Sequence, residues 1–149
     1  MDKIVLRHVD VYITHTIKGI TAESAQYGYV LAYHKKNGDL EILDDYNCID
    51  ERTTVNSVVL SAMKEALNRL TEELELNIYM DSQYIANMFE TKTVEKWKNN
   101  GFLNSKGGKI VDFLKWERVL DLCEKHSVKV YYAQTHEWSM FIENELKKR

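Results

Sequence analysis

The sequence predicts one α/β domain, because strand-like and helical segments alternate along a chain long enough for a single core. The chain has 149 residues, of which 44% are hydrophobic and 29% charged, a composition typical of one compact domain. Proline is absent, and we find no internal repeat or low-complexity segment that would mark a linker. We therefore treat residues 1–149 as one domain.

Three strands are predicted to open the fold as an antiparallel unit. Residues 4–14 are rich in Val, Ile and Tyr, and residues 27–34 form a second run of the same kind. Asn37-Gly38 is a strong signal for a two-residue hairpin. The second strand is therefore expected to turn directly into a third over residues 39–45.

A helix and a fourth strand are predicted next. Apolar residues recur at helical spacing over residues 55–73, which indicates a long amphipathic helix. A short apolar run over residues 76–80 predicts a strand that delivers Asp81 at its carboxyl end. Either Asp81 or Ser82 can cap a following helix over residues 83–89.

The last third of the chain predicts helix, strand and helix. A helical pattern covers residues 110–126, a strand covers 128–133, and a final helix begins near Met140. The inward face of the first of these helices is predicted to hold Val111, Leu114, Val119, Leu122 and Cys123.

Positive charge is concentrated in one segment of an otherwise acidic chain. The formal net charge is −3, yet residues 91–110 hold five lysines and one glutamate, a net of +4 that leaves −7 elsewhere. A cationic segment on an acidic body is a more specific feature than a mildly basic whole.

Targeting and redox signals are sparse. No run approaches about 20 apolar residues, and the first residues lack the apolar region of a secretory signal, so we expect a cytoplasmic protein with no membrane span. Cys48 and Cys123 belong to no Cys-x-x-Cys pair or zinc-spaced cluster. They are predicted to be reduced and buried.

Several motifs follow one another in a fixed order. They are Tyr27-Gly28-Tyr29-Val30-Leu31, Thr53-Thr54-Val55-Asn56, Asp81-Ser82-Gln83-Tyr84-Ile85, Trp97-Lys98-Asn99-Asn100-Gly101-Phe102, Thr135-His136 and Glu143-Asn144-Glu145. In this order and at these spacings the chain resembles type 1 ribonuclease H over nearly its whole length. The resemblance implies a five-stranded mixed sheet, three strands antiparallel and then two parallel, with helices on both faces.

The family holds two divalent cations roughly 4 Å apart between four carboxylates, and the resemblance locates each position in this chain. The fourth-strand aspartate is present as Asp81, a weak metal ligand on its own. Glu145 shares a helix face with the last-helix position three residues later. The other positions carry side chains that are not carboxylates: His15 or, one residue away, Thr14 in the first strand, Val59 in the first helix and Lys148 in the last helix.

The resemblance therefore implies impaired hydrolysis, with no cofactor firmly implied and Mg²⁺ or Mn²⁺ needed only if activity survives. His136 matches the loop histidine that assists proton transfer or product release in the family, and an ordinary exposed loop histidine is the alternative. Asp81 has the alternative role of a helix cap. Two further hypotheses stay open: one softer metal ion held by His15, Asp81 and His136, and recruitment of Asp10, Asp112 or Glu137 to a rebuilt site.

Nucleic acid is the partner that the resemblance implies, because a basic protrusion grips RNA–DNA hybrid in this family. We therefore predict a catalytically impaired ribonuclease H-like domain that binds hybrid or duplex. The alternatives are an active endoribonuclease on hybrids with a rebuilt site and a protein-interaction scaffold on the same fold. The predicted nucleic-acid-binding residues are Asn56, Lys92, Lys96, Trp97, Lys98, Lys106 and Lys109.

Overall fold

Residues 6–149 of this computed structural model are described, and they form a five-stranded sheet flanked by helices. In chain order the elements are β1 (Arg7–His15), β2 (Thr21–Ala22), β3 (Ala25–His34), β4 (Leu40–Ile49), β5 (Thr53–Thr54), α1 (Val55–Asn68), β6 (Leu74–Met80), α2 (Gln83–Glu90), α3 (Thr93–Asn100), α4 (Phe113–Cys123), β7 (Ser127–Tyr132) and α5 (Ser139–Lys147).

The main sheet has the strand order β4-β3-β1-β6-β7. Strand β3 pairs antiparallel with both β1 and β4, whereas β6 pairs parallel with both β1 and β7. The predicted mixed sheet, with three antiparallel strands followed by two parallel ones, is confirmed. Short β2 and β5 pair separately beside it.

Alternation along β1 explains why helices cover both faces of the sheet. Successive side chains of a strand point to opposite faces, and Val9, Val11 and Ile13 enter the larger core, which also contains the buried face of α1. Tyr12 points the other way and packs in a smaller core with Ile142 of α5. Each face of the sheet therefore has its own apolar layer.

The β3–β4 connection is longer than the predicted two-residue turn. Strand β3 ends at His34 and β4 begins at Leu40. Between them the backbone N–H of Lys35 donates to the carbonyl of Asp39 at 2.9 Å. Gly38 adopts the left-handed φ of 91° that the motif favours. The Asn37 side chain accepts a hydrogen bond from the Asp39 N–H at 2.9 Å, which forms an Asx turn within the connection.

The predicted inward face of the 110–126 helix is partly wrong. Val111 is 83% exposed and Leu114 is 66% exposed. Asp112 has a left-handed φ of 60°, so α4 starts only at Phe113. The predicted Val119 is buried, and Leu122 and Cys123 pack partly buried against the core. Trp116 and Leu120 complete the buried face.

Helix α3 was not predicted from the sequence, because its residues are mostly polar. Its two buried residues, Val94 and Trp97, are spaced three apart, and Gly101 ends the helix with a φ of 76°. That short spacing and the glycine are the only sequence signals that this helix carries.

The two cysteines are free, but the expectation of burial is wrong for Cys48. Cys48 is exposed on the edge strand β4, whereas Cys123 is only partly exposed at the end of α4.

In the described part of the chain, no helix combines the length and the apolar character needed to cross a bilayer.

Gly28 is expected to be intolerant of a side chain, because α5 and β4 both approach its backbone. A Cβ at this position would lie 2.5 Å from Tyr46 Cδ1 and 3.0 Å from Ile142 Cγ2. Overpacking of this kind predicts that Gly28→Ala lowers the free energy of unfolding by about 1–3 kcal/mol, measured by urea denaturation. Gly19→Ala is the control, since nothing lies within 4 Å of its added Cβ. Equal stability of the two variants would contradict the prediction.

Candidate nucleic-acid interface and degenerate metal centre

The parallel pairing of β1 and β6 brings the carboxyl ends of two strands to one end of the sheet. The register matches Tyr12 with Tyr79, so Thr14 and His15 emerge beside Asp81. Loops and helix starts meet at such an end, which is where open α/β sheets bind ligands. The first-strand and fourth-strand positions predicted from the sequence are therefore neighbours.

His15 and Asp81 form a hydrogen-bonded pair at this end of the sheet. The distance between His15 Nε2 and Asp81 Oδ2 is 3.1 Å, and His15 Nδ1 accepts from the backbone N–H of Ile17 at 3.1 Å. Because Nδ1 is an acceptor, Nε2 carries the proton and donates to the carboxylate. Burial lowers the pKa of His15 despite the opposing attraction of Asp81, so a neutral imidazole faces Asp81 near pH 7.

Asp81 does not cap α2. The cap is Ser82, whose Oγ accepts from the backbone N–H of Ile85 at 3.1 Å and donates to Asn56 Oδ1 at 2.6 Å. Asn56 therefore joins the first turn of α1 to the start of α2. Asp81 is left with a partly exposed carboxylate that faces His15.

The His136 ring is partly buried and is held by two backbone groups and one hydroxyl group. Its Nε2 lies 2.9 Å from the carbonyl of Ile13 and 3.1 Å from Thr14 Oγ1, while its Nδ1 accepts from the backbone N–H of Trp138 at 3.2 Å. A carbonyl on one side and an amide on the other fix the tautomer with a proton on Nε2. Burial lowers the pKa of His136. Both ring nitrogens are thus occupied within the fold.

The remaining family positions do not supply oxygen ligands. Val59 is fully buried in the apolar core, and Lys148 Nζ binds Glu145 Oε1 at 3.0 Å. Glu145 lies near Tyr46 of β4, where its negative charge helps to raise the pKa of the tyrosine hydroxyl. Glu143 of the same helix and His15 line one surface groove. At the four positions that the resemblance gives, the structure has one carboxylate. Hard cations such as Mg²⁺ require several oxygen ligands, so these residues do not fit a two-metal centre.

The other hypotheses for a metal at this site are not supported by the geometry. Among residues 6–149, the single group of three His, Cys, Asp or Glu side chains with mutually close ligand atoms lies elsewhere and does not contain Asp81. Asp112 is within 3.2 Å of Ser57 Oγ, and Glu137 accepts a hydrogen bond from the Tyr12 hydroxyl. Both acids therefore have partners of their own.

An open groove of about 520 Å³ lies directly beside Asp81 and is bordered by the starts of α1 and α2. Tyr84 and Tyr132 line it and are 42% and 48% exposed. Neither tyrosine was predicted as a site residue, although Tyr84 lies inside the motif Asp81-Ser82-Gln83-Tyr84-Ile85. Lys18 and Gln134 complete the polar part of the groove wall.

The predicted lysines lie on α3, just before it, and in the loop after it. They differ in whether their side chains bind other residues of the protein. Lys98 Nζ binds Glu124 Oε1 at 2.6 Å, and Lys109 Nζ donates to the Gly101 carbonyl at 2.6 Å. Lys92, Lys96 and Lys106 are exposed and make no ion pair within residues 6–149. These three are free to meet an anionic partner.

Trp97 supports this segment and does not present a ring to solvent. It is 7% exposed and packs edge-to-face on Trp116 with ring centroids 5.0 Å apart. Stacking on a base would require Trp97 to leave the core, and its role as a nucleic-acid contact stays a prediction.

Acidic pH is expected to destabilise the fold through the two site histidines. Their folded-state pKa values are lowered, so the unfolded chain takes up protons first. The stability is complete above the unfolded pKa of about 6.5 and is lost as the pH falls below it towards the folded values. Each histidine contributes a slope of at most about 1.4 kcal/mol per pH unit. Urea denaturation of the double variant His15→Gln and His136→Gln should show a shallower slope between pH 7 and 5, and an unchanged slope would count against this assignment.

Comparison with known proteins agrees with the architecture. The family model described as RNase H matches residues 12–146. The ribonuclease H of Clostridium botulinum strain Hall is 31% identical over 135 residues, which cover 88% of this chain and 85% of that protein. The ribonuclease H of Desulforamulus reducens is 35% identical over 112 residues, which cover 74% of this chain and 65% of that protein.

Solved structures share the fold at lower identity. A crystal structure of a type 1 RNase H with the type 2 active-site motif superposes with a TM-score of 0.76 at 20% identity, over 97% of this chain and 72% of the other. The foamy viral protease-reverse transcriptase in complex with RNA/DNA hybrid gives a TM-score of 0.66 at 18% identity, over 98% of this chain and 20% of that one. Because the RNase H family model matches residues 12–146 of this chain, the chain belongs to the ribonuclease H family.

Proposed function

We propose that this chain is a ribonuclease H-family domain that binds RNA–DNA hybrid or duplex nucleic acid and is impaired in two-metal cleavage. The observation that carries the proposal is the site itself. Asp81 is the single carboxylate at the four family positions and accepts from a neutral His15 at 3.1 Å. Internal hydrogen bonds and an apolar core residue take the place of metal ligands.

The proposed impairment has an electrostatic reason. Two hydrated divalent cations need several carboxylates to offset their mutual repulsion. The described site offers Asp81, an uncharged His15, an uncharged Thr14 and the buried Val59. Lys148 adds positive charge to the last helix, which further disfavours cations.

The proposed binding has support from charge and shape. Lys92, Lys96 and Lys106 provide unpaired positive charge, and such lysines bind phosphates without reading sequence. Exposed Tyr84 and Tyr132 in the groove beside Asp81 offer aromatic faces for sugars or unpaired bases. The foamy viral relatives are described in complex with RNA/DNA hybrid and with double-stranded DNA, which makes these the first ligands to test. We expect the domain to act in the cytoplasm.

The proposal is tested by reading binding and cleavage in the same samples. Labelled RNA–DNA hybrid is incubated with wild type, Asp81→Asn and the control Asp121→Asn, an exposed acid on α4. Each sample is measured with Mg²⁺, with Mn²⁺ and with EDTA. We expect a retained complex in all three conditions and no cleavage, with Asp81→Asn binding as well as wild type or better because a negative charge leaves the groove.

Two outcomes would overturn the proposal. Cleavage that Asp81→Asn abolishes and Asp121→Asn preserves would identify an active endoribonuclease with a rebuilt site. Absence of both binding and cleavage would favour a protein-interaction scaffold on the same fold.

A further inference from the structure

Two histidines and an aspartate converge near the amino-terminal end of β1, on the sheet face that α5 partly covers. His8 Nε2 lies 2.7 Å from Asp10 Oδ1, and His34 Nε2 lies 2.8 Å from Asp10 Oδ2. The antiparallel register pairs Asp10 with Ala32, which places His34 two residues further along β3 on the same face. One ligand atom from each of the three side chains lies within 4.8 Å of the others.

Burial makes this cluster more than a surface ion pair. Asp10 is 8% exposed, and a buried carboxylate is costly unless it is paired. Each of its two oxygens faces one imidazole nitrogen, so the carboxylate is clamped between two rings whose centroids are 5.5 Å apart. His8 and His34 remain 33% and 49% exposed at their side chains, which leaves the nitrogens reachable from solvent.

We propose that His8, Asp10 and His34 form a binding site for a single divalent transition-metal ion of the Zn²⁺ class. Two imidazoles and one carboxylate suit Zn²⁺, Co²⁺, Ni²⁺ or Fe²⁺ and disfavour Mg²⁺, which prefers oxygen ligands and its own water shell. Three protein ligands leave a fourth position for water or an exogenous ligand, as in sites that keep an open coordination position.

Occupation of the site requires a small rearrangement of protons and side chains. Each histidine turns its Nε2 lone pair to the metal and carries its proton on Nδ1 instead, so a neutral imidazole changes tautomer without net proton loss. Metal–ligand distances of about 2.0–2.2 Å set neighbouring ligand atoms roughly 3.3 Å apart, so the two contacts of Asp10 with His8 and His34, now 2.7 and 2.8 Å, must lengthen. The exposed His34 side chain can supply this adjustment.

The surroundings favour a cation at this position. Glu75 is the register partner of His8 on β6 and adds negative charge beside it. The nearby Arg7 is paired with Glu72 at 3.8 Å, and Lys35 is paired with Glu41 at 3.2 Å. Arg7 and Lys35 are therefore offset by glutamates, which leaves Lys36 as the third positive side chain of the surface pocket that contains His8 and His34.

The proposed metal site is separate from the groove at Asp81. Asp10 pairs in register with Asn77 on β6, four residues before Asp81, which corresponds to about 13 Å along the strand. The test of this metal site is therefore independent of the test of nucleic-acid binding.

The experiment is a titration of chelator-treated protein with Zn²⁺ by calorimetry and with Co²⁺ by visible absorption. We expect one equivalent of metal to bind and to raise the melting temperature of the protein. The Co²⁺ complex should show the visible absorption of a site with a low coordination number. His34→Ala should weaken binding by roughly 100-fold or more, because one of three ligands is lost. This variant removes a half-exposed side chain, so the fold is expected to persist, and circular dichroism verifies it.

Matched controls separate this site from adventitious binding. His126→Gln removes an imidazole that accepts from the Leu74 N–H, and Asp81→Asn removes the carboxylate of the groove; both should bind like wild type. The proposal is overturned if binding is not saturable, if His34→Ala binds as wild type does, or if Asp81→Asn abolishes binding.

Discussion

Replacing Lys92, Lys96 and Lys106 with glutamine is expected to weaken hybrid binding by roughly 100- to 1000-fold near 0.1 M salt, because three phosphate contacts and their counterion release are lost. The slope of log affinity against log salt should fall in magnitude by about 3. These lysines are exposed and make no ion pair in the described part of the chain. Fluorescence anisotropy at four salt concentrations measures both quantities.

The control for this charge change is a second triple variant with the same net charge. Lys36, Lys125 and Lys129 lie in the β3–β4 connection, after α4 and in the first half of β7, towards the end of the sheet opposite Asp81. Their replacement with glutamine should change affinity only slightly. If both triple variants lose affinity equally, the binding is a nonspecific effect of total charge and the assigned interface is wrong.

Restoring the carboxylates at the degenerate positions is expected to create metal-dependent cleavage. A variant with His15→Asp, Val59→Glu and Lys148→Asp would place acids at the three family positions that lack them, the first of which contacts Asp81. We expect its rate of hybrid cleavage in Mg²⁺ to exceed that of wild type by roughly 1000-fold or more, since catalytic groups that act as a unit contribute jointly. The measurement is a single-turnover assay with labelled RNA.

Stability provides an independent readout of the same variant. Val59 is fully buried, and an unpaired carboxylate there is costly, so the metal-free variant should melt at a lower temperature than wild type and regain stability with Mg²⁺. Adding Asp81→Asn should remove both the cleavage and the stabilisation. A folded variant that gains neither would contradict the prediction that carboxylates at these positions are sufficient for metal-dependent cleavage.

Periodicity and turn residues predicted most of the strands and helices, because these elements are encoded locally. The mixed sheet with helices on both faces was predicted from the resemblance to type 1 ribonuclease H. Sequence reasoning missed α3, since two buried residues in eight give a weak pattern. It placed Val111 and Leu114 inward because it could not foresee the left-handed backbone at Asp112. Helix phase depends on where the first turn begins, and that point is set by tertiary contacts such as the approach of Asp112 to Ser57.

The positions of the candidate site residues could be predicted from the sequence, but their hydrogen bonds could not. The aligned motifs located Asp81, His15 and His136, and β1–β6 pairing brought the first two together. The cap at Ser82 and the capture of His136 by the Ile13 carbonyl depend on side-chain rotamers and loop geometry. The cluster of His8, Asp10 and His34 was missed because His34 lies on β3 whereas His8 and Asp10 lie on β1, and only the β1–β3 register brings them together.

The unequal environments of the two cysteines make the unmodified chain suitable for site-selective labelling. Burial raises the pKa of the Cys123 thiol to about 12, so its reactive thiolate is scarce at neutral pH, whereas Cys48 is exposed. A maleimide dye should therefore attach at Cys48 alone. Strand β4 forms one edge of the sheet, with β3 and β1 between it and β6. The dye would then be carried on the strand farthest from β7, where it can report rotation of the domain on nucleic acid without entering the groove at Asp81.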